Sequence, residues 1–574
     1  MSPEKYILHC FLLCRIYLSI KINHFNHMNS SILKILFVCF FFVTVLSLSA
    51  EERTITIDKK YLNLPVSHQQ DRGKMTFIAD GHPDLSVVIR LAPDKADYWV
   101  FKDVSNLKGK TLTIRYDGDS EGLKNLFQSD VIVGNDSLYK EANRPQFHFT
   151  TRRGWINDPN GLVYYDGEYH LFYQHNPYER EWENMHWGHA VSKDLIHWEE
   201  LPDALYPDHL GGMFSGSAVI DYRNTAGYNK EKSPAMIAAY TAAGPDKQVQ
   251  CIAYSLDKGR SFTKYEGNPV IDSKHLWNSQ DTRDPKVFWY TPGNHWVMVL
   301  NERDGHSIYT SSDLKDWKYE SHVTGFWECP ELFELPVDGD PNNTQWVMYG
   351  ASGTYMLGSF DGKVFTPEKG KYQYVTGANY AAQTFTDMPD GRRVQVGWGR
   401  ISHPGMPFNG MMLLPTELTL RTTKEGPRLF SLPVKETEAL FTPAGNWQHL
   451  TSARANEVLK EFYDAECLRI KIGIKLSHAT EAGFNLFGQR LVGYDMNFNT
   501  INGVFYSPQE MSSMELSADI YIDRTSIEVF IDDGAYSYSM ERKPDHNNKE
   551  GFHFWGNNLE VKNLQVFLVK SIWN

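Results

Sequence analysis

Four stretches of the chain follow one plan. AVSKDLIHWEEL (Ala190 to Leu201), AYSLDKGRSFTKY (Ala253 to Tyr265), YTSSDLKDWKYE (Tyr309 to Glu320) and GSFDGKVFTPE (Gly358 to Glu368) each read as a strand, then Ser or Phe near an Asp in a turn, then an aromatic residue opening the next strand. The repeated aspartates, Asp194, Asp257, Asp313 and Asp361, lie 63, 56 and 48 residues apart. A diverged period of this size in a strand-rich sequence predicts propeller blades of four antiparallel strands. Four copies plus the region around WINDPNG (Trp155 to Gly161) predict about five blades between residues 144 and 425.

The flanks are β as well. Residues 50–140 carry short alternating runs, RTITID, KMTFIAD, LSVVIRLA, DYWVFKDV and KTLTIRYD, which predict a small antiparallel accessory domain without chemistry of its own. A carbohydrate-binding role is the sharper alternative for it. Residues 430–574 return to alternation in CLRIKIGIKL and LEVKNLQVFLV, and Asp532-Asp533-Gly534 between apolar runs is a hairpin signal, so a β-sandwich is expected. The whole is all-β.

Ahead of residue 50 the chain reads as an export signal. One Lys precedes an apolar run from Ile35 to Leu46, and Ser47 and Ser49 fit a signal-peptidase site, with Met28 as the natural start of such a signal. The run is too short for a membrane span, and Cys39 lacks the small neighbours of a lipid-anchor signal. A secreted or periplasmic protein is expected, with no span once the signal is removed. Of six cysteines only Cys251, Cys329 and Cys467 lie beyond that region, too far apart for a disulfide framework or a zinc pattern. A formal charge of −13 argues against a nucleic-acid partner, because phosphate neutralisation needs clustered Lys and Arg. With 15 Trp and 31 Tyr the chain can stack sugar rings, although aromatics also fill β cores.

Candidate chemistry lies in three acids. Asp158 sits in Asn-Asp-Pro-Asn-Gly, just before strand-like runs joined at Asp166-Gly167. As an isolated turn it reads equally well as an Asx turn beside Pro159 or as a carboxylate aimed into the mouth of the propeller. Asp284 in Arg283-Asp284-Pro285 and Glu328 in Trp327-Glu328-Cys329-Pro330 also stand at the head of strands. Three acids at corresponding blade positions converge on one channel, and facing carboxylates are the machinery of glycoside hydrolysis. Arg283 beside Asp284 is expected to keep that carboxylate ionised, and Glu328, if dry, to hold its proton as a catalytic acid must.

WINDPNG, FYQHNP, MHWGHAVSKDLIHWEELP, FSGSAV, RDPKVF and WECPELF, in this order, closely resemble the motifs of glycoside hydrolase family 32, the β-fructofuranosidases that include invertases, inulinases and levanases. DRTSIEVFIDDG (Asp523 to Gly534) resembles the sandwich signature of that family. The resemblance implies a five-bladed propeller followed by a β-sandwich. It implies Asp158 as nucleophile, Glu328 as general acid and then base, and Asp284 as transition-state stabiliser. Asn157, Gln174, Trp182, Phe214, Ser215, Arg283 and Trp398 would form the fructose pocket. No cofactor or metal is implied, and the reaction would retain configuration, with carboxyl groups about 5–5.5 Å apart.

Two departures from the family pattern stand out. Ile156 replaces a commoner Met, a swap that conserves volume, and Glu183 follows Trp182 where a small residue is frequent. Residues 52–139 resemble an extension on fructan-degrading members from gut Bacteroides-type bacteria, which favours a fructan over sucrose alone. The expected activity is release of fructose from fructan ends, with an endo-levanase, a fructosyltransferase and a non-catalytic sugar-binding propeller as alternatives. His170, His175, His186 and His189 lack a repeated ligand spacing and read as structural.

Overall fold

The computed structural model describes residues 51–573 apart from 230–232, 477–480, 506–514, 544–546 and 549. The export signal, residues 1–49 with Met28, lies outside the described residues. The fold is all-β. Residues 51–129 form two packed sheets, one with Glu51–Thr56, Thr111–Tyr116, Gly73–Ala79 and His82–Ile89 in that spatial order, the other with Tyr98–Asp103, Tyr61–Val66 and Phe127–Ser129. Their shared core includes Leu62, Leu64, Phe77, Val87 and Ile114, and it takes in Tyr178 from the next part of the chain.

Antiparallel meanders of mostly four strands follow, the first extended by the short parallel strand Phe408–Asn409. Their first strands are Gly154–Tyr165, Gly212–Asp221, Thr282–Tyr290, Glu331–Val337 and Asn379–Thr384. Each neighbours the next around one axis. Ser217 Oγ donates to the carbonyl of Pro285 (2.8 Å) and accepts from the N–H of Val287 (2.9 Å). Lys286 pairs with Glu331 at 2.7 Å, and Glu331 accepts from the Thr384 N–H at 3.0 Å. The circle closes where the Tyr164 N–H donates to Thr386 O (3.0 Å). A ring of inner strands with meandering sheets outside it is a propeller. The last two sheets join through a single parallel bridge, Val337 to Leu420. The strand Gly426–Pro433 pairs with Thr416–Thr423, which carries the final sheet past residue 425.

The repeated aspartates have a structural task. Asp194 Oδ1 accepts from the N–H groups of Ile196 and His197, and Asp313 Oδ1 from those of Lys315 and Asp316, all at 2.8–3.0 Å. Ser192 and Ser311 hold these carboxylates from the preceding strand. Each motif is therefore the turn between the third and fourth strands of a sheet, where the Asp side chain satisfies backbone donors that no strand can reach. Asp166 and Gly167 close a two-residue hairpin with φ of 46° and 87°, the left-handed pair that a type I′ turn requires.

Beyond a 3-10 helix at Lys435–Leu440, two sheets pack face to face over Ile470, Ile520, Val529, Phe484 and Phe554, one of five strands and one of six that Val375–Gly377 from the propeller extends to seven. This sandwich grips the start of the propeller. His148, fully buried, lies between Asp523 (2.8 Å) and Glu528 (2.7 Å). Burial opposes its charge, but the two carboxylates outweigh burial and push its pKa up to about 9.

Candidate active site

Backbone irregularities aim the acids. Ile156 pairs with His175 and Pro159 with Tyr173, so Asn157 and Asp158 together oppose Gln174 alone. The extra residue is a β-bulge, which turns a side chain out of the pleat. The same device recurs where Arg283 pairs with Asn301 and Lys286 with Val299, leaving Asp284 and Pro285 opposite Leu300. Asp158 and Asp284 thus lie inside the bulged starts of first strands rather than ahead of them, while Glu328 occupies the turn before Glu331–Val337. Asp284, Glu328 and Cys329 have φ of 66°, 52° and 42°. Left-handed backbone at non-glycine residues costs about 1 kcal/mol or more each and persists where the surroundings impose it.

Side-chain contacts fix the carboxylates. Ser215 Oγ donates to Asp158 Oδ2 (2.7 Å) and the Asn157 amide to Oδ1 (3.0 Å). Trp155 Nε1 in turn donates to Asn157 Oδ1 (2.8 Å). Asp284 Oδ2 accepts from the Cys329 N–H (2.9 Å), and ligand-type atoms of Asp158, Asp284 and Cys329 lie within 4.8 Å of one another. The Cys329 thiol, 3.7 Å from Asp158 and 3.6 Å from Asp284, is held neutral by burial and by these acids. Glu328 accepts from Arg283 Nη2 (2.9 Å) and Nε (3.2 Å) at Oε1, and from the Tyr380 hydroxyl (2.5 Å) at Oε2.

The electrostatics reverse one expectation. Arg283 does not bond its neighbour Asp284; its guanidinium turns to Glu328, Gln248 and Asp281. Asp284 is 6% exposed, and burial together with the Asp158 charge pushes its pKa up to about 7 against the weaker pull of Arg283. Asp158 is also raised, chiefly by burial, with Ser215 and Asn157 opposing. The second expectation, a dry Glu328, fails as well: the carboxylate is partly exposed and the adjoining Trp327 is 45% exposed.

Of the expected pocket residues, Asn157, Ser215 and Arg283 touch the acids directly. Phe214 adjoins Ser215 and meets half-exposed Trp182 edge to face at 5.8 Å. Trp398 packs edge to face against Trp155 (5.7 Å) and Tyr380 (6.3 Å). Gln174 stands behind, its backbone and side-chain N–H groups 3.0 and 2.9 Å from the Asn160 amide, whose oxygen accepts both once that amide is turned to satisfy its neighbours. Sequence reasoning missed Tyr380, Thr241 (which accepts from the Asp284 N–H at 3.0 Å) and Asn301 (which accepts from the Glu328 N–H at 2.8 Å). Of the four histidines, His170 bonds His189 (3.1 Å), His175 bonds Asp203 (2.7 Å), and His186 bonds the Asn184 carbonyl.

A propeller that gathers three carboxylates, two on bulged inner strands and one in the turn before a third, beside flanking aromatics presents the paired acids of a glycoside hydrolase. The profile "Glycosyl hydrolases family 32 N-terminal domain" matches residues 148–433. A levanase of Bacillus subtilis is 40% identical over 498 residues, covering 77% of this chain and 72% of its own. An extracellular exo-inulinase of Aspergillus niger is 32% identical over 520 residues, covering 76% and 96%. Among solved structures, exo-inulinase from Aspergillus awamori superposes with TM-score 0.66 at 29% identity, over 76% of this chain and all of that one. The chain belongs to glycoside hydrolase family 32 and is a glycosidase acting on fructosides.

Proposed function

We propose that the protein is a retaining, exo-acting fructan hydrolase that removes terminal fructose from levan or inulin and also accepts sucrose. The observation that carries the chemistry is the convergence of Asp158, Asp284 and Glu328, each held by its own set of donors. Asp158, aligned by Ser215 and Asn157, attacks the anomeric carbon of a terminal fructosyl unit. Glu328 gives its proton to the departing oxygen as the glycosidic bond breaks. Water, losing a proton to Glu328, then displaces Asp158 and leaves fructose with retained configuration. Asp284, poised to hold a proton near neutrality, faces the sugar hydroxyls. Asn157, Gln174, Trp182, Phe214, Ser215, Arg283 and Trp398 line the fructose pocket.

The exo mode rests on the exo-inulinase relatives and on the aromatic pair Trp182 and Phe214 beside the acids. The same reading counts the inner-strand sheets as five blades over residues 144–425, flanked by domains at 50–140 and 430–574. It also places the enzyme outside the cytoplasm, on the apolar run Ile35 to Leu46 and the extracellular relatives. Among the described residues no helix is long and apolar enough to cross a membrane. The test is product analysis of levan, inulin and sucrose digests by the protein and by Asp158→Ala. Fructose alone, absent with the variant, is expected. Early oligosaccharides would make the enzyme endo-acting, and no product from any of the three would sink the assignment.

A further inference from the structure

Residues Pro177 to Met185 link the second and third strands of the first propeller sheet and carry Trp182 to the rim beside Phe214. The stretch reads PYEREWENM, with Glu179, Glu181 and Glu183 at alternate positions. Three carboxylates so close repel one another, and nothing within the stretch neutralises them beyond Arg180, which is engaged elsewhere. Arg180 donates to His68 (3.1 Å) and to the carbonyl of Met406.

The neutralising charges come from the N-terminal domain. The Arg72 guanidinium contacts all three acids: Glu179 at 3.0 Å, Glu181 at 2.9 Å and Glu183 at 3.5 Å. Arg90 adds Glu179 (3.0 Å) and Glu181 (3.1 Å), and its backbone N–H donates to Glu179 (2.9 Å). Glu179 is fully buried beneath the two arginines. Asn184 completes the grip: its amide accepts from the Val88 N–H (2.7 Å) and donates to the Val88 carbonyl (2.8 Å), so a side chain pairs with the edge strand His82–Ile89 as a neighbouring strand would. Tyr178 is buried in the core of the N-terminal domain, its ring 6.5 Å from that of Phe77. Both sides of Trp182 are thus anchored to that domain, and Glu183, the acid that departs from the family pattern, faces Arg72.

We infer that the N-terminal domain forms part of the substrate site, with Arg72 as the positioning residue that fixes the Trp182 rim and offsets part of the charge of Glu179, Glu181 and Glu183. A neutral fructan chain leaving the pocket passes that rim, so the domain sets affinity for the sugars beyond the cleaved bond while the acids set the rate of cleavage. The inference deepens the fructan-hydrolase reading and rests on it for its kinetic arm.

The test compares Arg72→Met and Arg72→Lys with Arg115→Met, a control on the same domain whose partner is the exposed Glu52 at 2.6 Å. Two quantities are read: kcat and KM on levan and inulin, and hydrogen–deuterium exchange of the peptide covering residues 177–185. Arg72→Met is expected to raise KM roughly 3- to 10-fold with kcat within about twofold, the signature of lost binding rather than lost chemistry. Arg72→Lys, a point charge that cannot fork across three carboxylates, should fall between. Exchange in 177–185 should quicken in Arg72→Met and not in Arg115→Met. Unchanged KM and unchanged exchange in a folded Arg72→Met protein would overturn the inference. Should Arg72→Met not fold, Glu183→Ala, which removes only the outermost contact at 3.5 Å, must still quicken exchange in 177–185. If the unaltered enzyme cleaves no fructoside, the function fails, and the exchange arm alone still decides whether Arg72 fixes the rim.

Discussion

Asp284→Asn should make the folded protein more stable in a way that depends on pH. Burial and the Asp158 charge push the Asp284 pKa from an ordinary 3.8 up to about 7. The folded protein therefore keeps a proton that the unfolded chain has released. Below pH 4 both states are protonated and the site costs nothing. As pH rises from 4 to 7 the unfolded state gains from ionisation while the folded state does not, so stability falls, and the full penalty stands above pH 7. A shift of about 3 units at about 1.36 kcal/mol each makes that penalty about 4 kcal/mol. An asparagine fits: its carbonyl oxygen accepts the Cys329 N–H as Asp284 Oδ2 does at 2.9 Å. For a unit the size of residues 148–433, unfolding entropy of roughly 0.6 kcal/mol per kelvin converts 4 kcal/mol into roughly 7 °C. The assay is the thermal midpoint of both proteins between pH 4 and 8. The variant should match the parent at pH 4 and exceed it by several degrees at pH 8, while losing activity. A gain that is equal at both ends, or no gain at pH 8, would refute the electrostatic account.

Asp158→Asn should retain the fold and lower kcat by roughly 10⁴-fold or more, since the amide can hold its partners but cannot bond to carbon; circular dichroism and product release measure both. Tyr380→Phe removes one charge-assisted hydrogen bond to Glu328 and should cost about 1.5–3 kcal/mol in kcat/KM, or roughly 10- to 150-fold. His148→Ala leaves Asp523 and Glu528 buried without their cation and should destabilise the protein by about 3–5 kcal/mol, read by chemical denaturation. The folded pKa of His148, about 9, exceeds the ordinary 6.5, so the part of its contribution that comes from charge is complete below pH 6.5 and disappears as pH rises through 9; the gap between parent and variant should narrow there to the cost of the emptied site.

The repeat of aspartates was legible because one turn is solved the same way in successive sheets, by a carboxylate on backbone N–H groups. The positions of the three acids were legible because proline and bulge-forming residues punctuate the first strands. The direction of Arg283 was not. Adjacency in sequence favoured Asp284, yet successive residues leave a strand on opposite faces, and the long side chain found Glu328 45 positions away. Tyr380 was hidden for a related reason: its partner Glu328 lies 52 residues earlier, and no local pattern marks a hydroxyl aimed at a carboxylate. The grip on residues 177–185 was invisible too, because charged surface residues in two separate segments reveal their pairing only once both sheets are formed.

The clamp on His148 also sets a timetable. Its carboxylate partner Asp523 is made 375 residues later, and at ribosomal speeds of roughly 5–20 residues per second the wait is roughly 20–75 s. Through that interval the segment leading into the Asp158 strand has an imidazole without its counter-ions, so the first sheet can form early but cannot lock. A chain interrupted before Asp523 would carry all three acids and still lack the fastening that holds the first of them in register.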